Sequence, residues 1–173
     1  MRLFLAIDIP SEIKEEIHKF QRQFKIKGIK LVEKENLHIT VKFLGEVDEK
    51  TFRKILDMDL SIPPLKIKLK NLGVFPNPNY IRVIWIGVEN SDLVKIFKDI
   101  DEKLAILGFK REKDYIPHLT IGRVKYIENK GLLKDRVEKW KDIDFGEFEV
   151  SKIKLYESTL TPSGPIYKVI KEW

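Results

Sequence analysis

The sequence contains no cysteine. Disulfides, thiolate metal sites and thiol nucleophiles are thereby excluded, and the fold must hold together by packing alone. Long apolar runs are missing as well. The opening MRLFLAIDIPSEIKEE is interrupted by Asp8 and Pro10 and has no small-residue cleavage pattern, so a cytoplasmic location without membrane contact is the expectation. No glycine-rich loop of the P-loop or dinucleotide type precedes a helix, and there is no Gly-x-Ser-x-Gly nucleophile elbow. Histidine is scarce, with three in 173 residues. Without cysteine, a zinc site would need further ligands at helpful spacing, and His18 falls on a different element from His38 and His118. Metal-dependent hydrolysis and resident cofactors are therefore not expected.

What is abundant is charge. Thirty-three basic and 27 acidic residues leave a formal charge of +6, and the charged fraction of 35% exceeds the roughly one quarter usual in soluble domains. The basic excess suits an anionic ligand or RNA. A Lys/Glu-rich solvated surface of the heat-adapted kind has the same composition, so charge alone does not decide the matter.

Apolar spacing supplies the outline of the fold. RLFLAIDI reads as a strand, and after Pro10 the residues Ile13, Ile17, Phe20 and Phe24 step at helical intervals, with His18 beside the stripe facing solvent. LHITVKFL reads as a strand, and Asp48 as the cap of a helix carrying Phe52, Ile55 and Leu56. LKIKLKNL (65–72) and YIRVIWIGV (80–88), separated by the turn-rich FPNPN, predict an antiparallel pair. Ser91 is expected to open the longest helix, with Leu93, Phe97, Ile100, Leu104 and Leu107 on one side and Gly108 as its stop. A strand over 116–126, a short helix around 132–140 and two last strands follow. The slip in apolar parity between Val150 and Ile153 predicts a bulge or break. Alternating helices and hairpin-like strand pairs favour α+β with antiparallel sheets over a parallel doubly wound sheet. No linker divides the chain, so one bilobal domain over 1–173 is expected.

Two short stretches stand apart. NLHITVKFLGEV (36–47) and DYIPHLTIGRVKY (114–126) each place a histidine two residues before a threonine inside an apolar run. On a strand, residues i and i+2 share a face, so His38 projects with Thr40 and His118 with Thr120, while Ile39, Val41, Leu119 and Ile121 face the core. A lone strand histidine is more often a surface or satisfied core residue than a catalyst. Here two of three histidines carry a threonine at +2, in a chain with five threonines. If the two strands face one cleft, two imidazoles and two hydroxyls converge. That set suits a phosphodiester: hydroxyls donate to non-bridging oxygens, while one imidazole takes a proton and the other gives one. Nothing in the residues themselves says which imidazole does which.

Three further residues are candidates for the same site. Lys42 has the parity of His38 and Thr40 and is placed to reach the phosphate; a solvated strand-end lysine is the alternative. Phe43 and Arg123 each follow a motif histidine by five residues. Strict alternation puts both on the wrong face, unless bulges marked by Gly45 and Gly122 turn them towards the cleft, where a ring and a guanidinium would hold a nucleobase. Core packing is the alternative for Phe43. Tyr115 and Tyr167 either stack on RNA or pack, Trp85 and Trp140 read as core, and TPSGP (161–165) has the turn chemistry of a rim.

MRLFLAIDIP, LHITVKFLGEV, RVIWIGV, IPHLTIGR and STLTPSGPIY, in that order and spacing, resemble the two-histidine (2H) phosphoesterase superfamily. Within it they resemble the bacterial and archaeal 2'-5' RNA ligase-like proteins, also called RNA 2',3'-cyclic phosphodiesterases. The resemblance implies a bilobal α+β fold with pseudo-two-fold symmetry, two mainly antiparallel sheets around a central cleft and helices outside. It implies metal-free opening of an RNA 2',3'-cyclic phosphate to a 2'-phosphate, with 2'-5' ligation as a companion activity. It also implies His38 as the acid protonating the departing 3' oxygen, His118 as the base, and Thr40 and Thr120 on the phosphate. RNA with cyclic phosphate ends, tRNA fragments included, is the expected partner, and a monomer the expected state. A binding protein that holds RNA ends without turnover is the competing reading.

Overall fold

The computed structural model describes residues 1–173. Nine strands and four helices follow one another as β1 (Arg2–Ile7), α1 (Ser11–Phe20), β2 (Ile29–Leu31), β3 (Ile39–Glu46), α2 (Glu49–Leu56), β4 (Leu65–Asn77), β5 (Tyr80–Glu89), α3 (Leu93–Ala105), β6 (His118–Val124), α4 (Lys130–Lys139), β7 (Asp144–Val150), β8 (Lys154–Thr161) and β9 (Gly164–Glu172). The strands form two sheets, in the orders β3-β1-β8-β9 and β2-β6-β5-β4-β7, and every pairing is antiparallel. The α+β class with two antiparallel sheets is as the sequence predicts.

The pseudo-symmetry lies in the strand order. β3 lies beside β1 and β6 beside β5, each pair joined through a helix, α1 or α3, and the units β3-β1-β8-β9 and β6-β5-β4-β7 correspond. Each sheet nevertheless draws strands from both ends of the chain. The parity slip at 151–153 is where this exchange happens: β7 ends at Val150 in one sheet, and β8 begins at Lys154 in the other. Leu5 and Ile7 of β1, Ile84 and Ile86 of β5, Ile17 of α1 and Leu104 of α3 share one continuous apolar core.

Helix starts follow local chemistry. Asp48 caps α2 by accepting from the Thr51 amide at 2.7 Å. α3 begins two residues later than Ser91, because Asn90 Oδ1 accepts from the Asp92 amide at 2.8 Å and forms the entry turn. β2, whose single alternation of Ile29, Lys30 and Leu31 is too short to stand out, is the element that periodicity does not reveal; it exists by pairing with β6.

Candidate active site

Both motif strands are bulged at the residue after the threonine. On β3, Thr40 pairs with Ala6 and Lys42 with Leu5, leaving Val41 as the extra residue; on β6, Thr120 pairs with Trp85 and Gly122 with Ile84, leaving Ile121. A bulge reverses the parity of everything beyond it. Phe43, opposite Phe4, therefore lies on the same face as Thr40, and Arg123, opposite Val83, on the same face as Thr120. The bulges that turn Phe43 and Arg123 are present, and they sit at Val41 and Ile121, the latter just before Gly122; the irregularity that Gly45 marks is also there, at Leu44, but it lies beyond Phe43 and does not set its face.

The same reversal corrects the expectation for Lys42. Its neighbour across the ladder, Leu5, is fully buried, and the Lys42 side chain is only 4% exposed. Its ammonium donates to the Lys110 carbonyl at 2.7 Å and pairs with Asp101 of α3, whose side chain is 2% exposed. Glu112 lies at 3.4 Å from the same nitrogen. Lys42 is thus directed away from the cleft, into a buried ion pair on the far face of β3.

The two histidines are held in the same way. His38 Nδ1 meets the carbonyl of Asn36 at 2.5 Å, and His118 Nδ1 meets that of Ile116 at 2.6 Å, in each case two residues upstream. A carbonyl only accepts, so Nδ1 carries the proton in both and Nε2 is the nitrogen left for chemistry. In His38, Nε2 lies 2.8 Å from Thr40 Oγ1, a bond in which the threonine donates when the ring is neutral. Asn36 is itself fixed, its amide donating to the Pro165 carbonyl at 3.1 Å. The His38 ring packs against Phe4 and edge-on to Tyr167, at centroid distances of 5.1 and 5.5 Å. The His118 ring packs against Phe75 and Trp85, at 5.1 and 5.8 Å. Trp85 reaches this position because Gly73 has no side chain: a Cβ there would fall 2.2 Å from the indole ring.

Burial lowers the basicity of both rings. His38 is pushed below its ordinary value by burial, against the Asn36 carbonyl and the Asp8 carboxylate, which favour its charged form. His118 is pushed down by burial too, against the Ile116 carbonyl, and Arg123 adds to the lowering. The charged form of each ring is thus disfavoured in the free protein, and a bound phosphate is the group that would favour it.

A cavity of about 720 Å³ opens between the two motif strands. His38, immediately before β3, lines it with Thr40 and Phe43 of β3, Thr120 and Arg123 of β6, and Tyr167 of β9. His118 is outside that lining; it shares the face of Thr120, two residues away on the same strand. Phe43 is 63% exposed, which rules out core packing as its role. Gly164 and Pro165 of the TPSGP turn line the cavity and make it a rim. A second cavity of about 220 Å³ lies behind His38 and is bordered by Asp8, Glu35 and Tyr156. Tyr115 is outside the cleft lining and packs against the core instead, where it donates to Asp101, which pushes its phenol up to about 12. No three His, Cys, Asp or Glu side chains lie close enough together to hold a metal ion, and no helix is long and apolar enough to cross a membrane.

Sequence reasoning misses the two carbonyls, Phe4, Phe75 and Asp101. The carbonyls carry no residue signature. Asp101 left a trace, as a carboxylate four residues after Phe97 on the apolar face of α3.

Comparison with known proteins agrees with this architecture. A family model described as LigT-like phosphoesterase matches the chain twice, over residues 7–85 and 86–167, one match for each motif. An RNA 2',3'-cyclic phosphodiesterase of Methanocaldococcus jannaschii is 75% identical over 173 residues, covering 100% of both chains. A protein of the same name from Archaeoglobus fulgidus is 43% identical over 175 residues, covering 99% of this chain and 98% of its own. Among solved structures, TT0787 of Thermus thermophilus superposes with a TM-score of 0.84 at 26% identity, covering 100% of this chain and 97% of its own. E. coli LigT complexed with 3'-AMP superposes with a TM-score of 0.80 at 25% identity, covering 99% and 96%.

Proposed function

The chain belongs to the LigT-like phosphoesterase family of the 2H superfamily, and on that premise we propose that it is an RNA 2',3'-cyclic phosphodiesterase using His38 and His118 as a metal-free acid–base pair. The observation that carries this reading is the duplicated arrangement. Each half presents a histidine and a threonine on one face of a bulged strand, with Nδ1 tied to a carbonyl. A binding site needs cations and stacking surfaces; it has no need of two imidazoles held in one tautomer.

In the proposed reaction His118 Nε2 takes a proton from water as its oxygen bonds to phosphorus. The bond from phosphorus to the 3' oxygen breaks, and His38, protonated at Nε2, gives its proton to that oxygen. The products are a 2'-phosphate and a 3'-hydroxyl, and the two rings exchange protons with solvent to reset. Thr40 and Thr120 donate to the non-bridging oxygens, where negative charge grows. With an RNA 5'-hydroxyl in place of water the same steps make a 2'-5' linkage, and in its cleavage the two imidazoles exchange roles. The test is incubation with an oligonucleotide ending in a 2',3'-cyclic phosphate in excess EDTA. Product bearing a 2'-phosphate is expected; bound but unchanged substrate would establish the non-catalytic RNA-end-binding alternative.

The cavity also suits a polyanionic chain, tRNA fragments included. Arg2, Lys30, Arg123 and Lys125 line it with Glu33 as the one carboxylate. Lys30 sits directly opposite Arg123 on the β2–β6 ladder, a like-charge pairing that costs stability until an anion neutralises it. None of the four cations has a carboxylate within ion-pair distance. The affinity for a cyclic-ended oligonucleotide is expected to fall with salt. Lys125→Ala is expected to flatten that dependence by about 0.7 in log–log slope, the value for one phosphate no longer neutralised. An unchanged slope would remove Lys125 from the RNA path.

Arg123→Ala is expected to raise KM more than it lowers kcat, because a stacking or charge interaction made equally in ground and transition states appears mainly in KM. Steady-state kinetics on the same oligonucleotide separate the two. A loss confined to kcat would instead put Arg123 on the developing phosphate charge.

A further inference from the structure

Residues 109–117, between α3 and β6, form neither helix nor strand, yet they end on the carbonyl that sets the His118 ring. At the surface Arg111 donates twice to Glu102 of α3, at 2.9 and 3.1 Å; beneath it, the segment is held by the buried charge cluster behind β3. Asp101 Oδ2 accepts from the Glu112 amide at 2.8 Å and from the Tyr115 hydroxyl; Lys42 pairs with Asp101 and donates to the Lys110 carbonyl. The segment is therefore pinned at 110, 112 and 115, just before Ile116 and His118. Lys42, the pin's other end, is two residues from Thr40 on the strand that carries His38.

A buried ion pair is a poor way to gain stability, since well-packed apolar side chains of similar volume serve as well or better. Its use lies in fixing one geometry. We propose that Lys42, Asp101 and Tyr115 are positioning residues that set the orientation of the His118 ring relative to the His38 strand. The inference rests on the reading of His118 as the base for its effect on turnover, but not for its effect on the ring. The Ile116 carbonyl accepts no backbone amide; it lies between the Tyr115 pin and Pro117, whose carbonyl accepts from the Val88 amide at 3.2 Å. Without the pins that carbonyl moves, and the bond that keeps the proton on Nδ1 and leaves Nε2 bare is weakened.

Two variants test this. Lys42→Met combined with Asp101→Leu removes both charges and fills their space, so its melting temperature is expected to stay near that of the parent. Tyr115→Phe deletes one hydroxyl and guards against failure of the double variant to fold. In both, the ¹⁵N shifts of the His118 ring are expected to move away from the Nδ1-protonated tautomer. With the cyclic-ended oligonucleotide in EDTA, kcat is expected to fall on the order of ten-fold or more with KM within about two-fold, the signature of a displaced reacting group. A merely structural cluster predicts activity that follows stability. His118 ring shifts unchanged in a folded variant would overturn the positioning role whatever the activity. Shifts that move while kcat is unchanged would uphold it and remove His118 from the proposed mechanism.

Discussion

Alanine at His38 or at His118 is expected to lower kcat by roughly a hundred-fold to ten-thousand-fold, the usual worth of one positioned proton donor or acceptor. At 1.36 kcal/mol per decade, that is about 3–5 kcal/mol of transition-state stabilisation. The loss should fall on kcat with KM little altered, because the proton moves only as the bonds to phosphorus change, whereas the threonines and the rim cations still hold the substrate. Folding should survive. Both rings are only half-buried and their anchors are backbone carbonyls, that of Asn36 beside the cavity and that of Ile116 on an exposed residue. Kinetics paired with thermal melts check the expectation: near-normal turnover in either folded variant would remove that histidine from the scheme.

Lys42→Met alone is expected to be the most destabilising single change, because it leaves the Asp101 carboxylate buried and unpaired. Removing one partner of such a pair costs about 3–5 kcal/mol, a large share of the roughly 5–15 kcal/mol that holds a domain together. The effect has a pH signature. Burial pushes the Asp101 carboxyl up, but hydrogen bonds from Lys42, Tyr115 and the Glu112 amide, with the Lys42 charge, bring it below its ordinary value. In the parent its stabilisation is therefore present above about pH 4 and is lost as pH falls further. Without Lys42 the buried carboxylate is relieved by protonation. The gap between parent and variant should thus be widest near neutrality and narrow towards pH 4. Denaturant melts across that range measure it, and a gap independent of pH would mean that lost packing, not the stranded charge, is responsible.

The fold was legible wherever a segment carries its own period: α1, the β4–β5 hairpin, β3, β6 and the break before β8 all follow from apolar spacing. So were His38, Thr40, His118 and Thr120, because a polar pair at i and i+2 in an apolar strand has no place in a core. Lys42, Phe43 and Arg123 were harder, since their faces depend on the bulges at Val41 and Ile121. A bulge is a mismatch between two strands, set by β1 and β5 as much as by β3 and β6, and one strand read alone does not contain it. β2 exists by pairing, and the exchange of strands between sheets is a long-range event that local pattern does not carry. Lys42 and Asp101 were each visible as charges in apolar surroundings, 59 positions apart; only the fold shows that they meet.

The central claim is that two imidazoles divide one proton transfer, and the most direct measurement is the pH dependence of turnover in excess EDTA. The base must have lost its proton, which gives an acidic limb, and the acid must have kept its own, which gives an alkaline limb. Burial pushes both His38 and His118 below the ordinary value of about 6.5 in the free protein. The kcat/KM profile should therefore be a bell peaking on the acid side of that value. The kcat bell should lie at higher pH, because a bound phosphate favours the charged rings. Both limbs belong to the pair, but the variants separate them. Residual activity of His118→Ala should lack the acidic limb and that of His38→Ala the alkaline one. A flat profile in the parent, or activity that collapses in the chelator, would contradict the two-histidine mechanism.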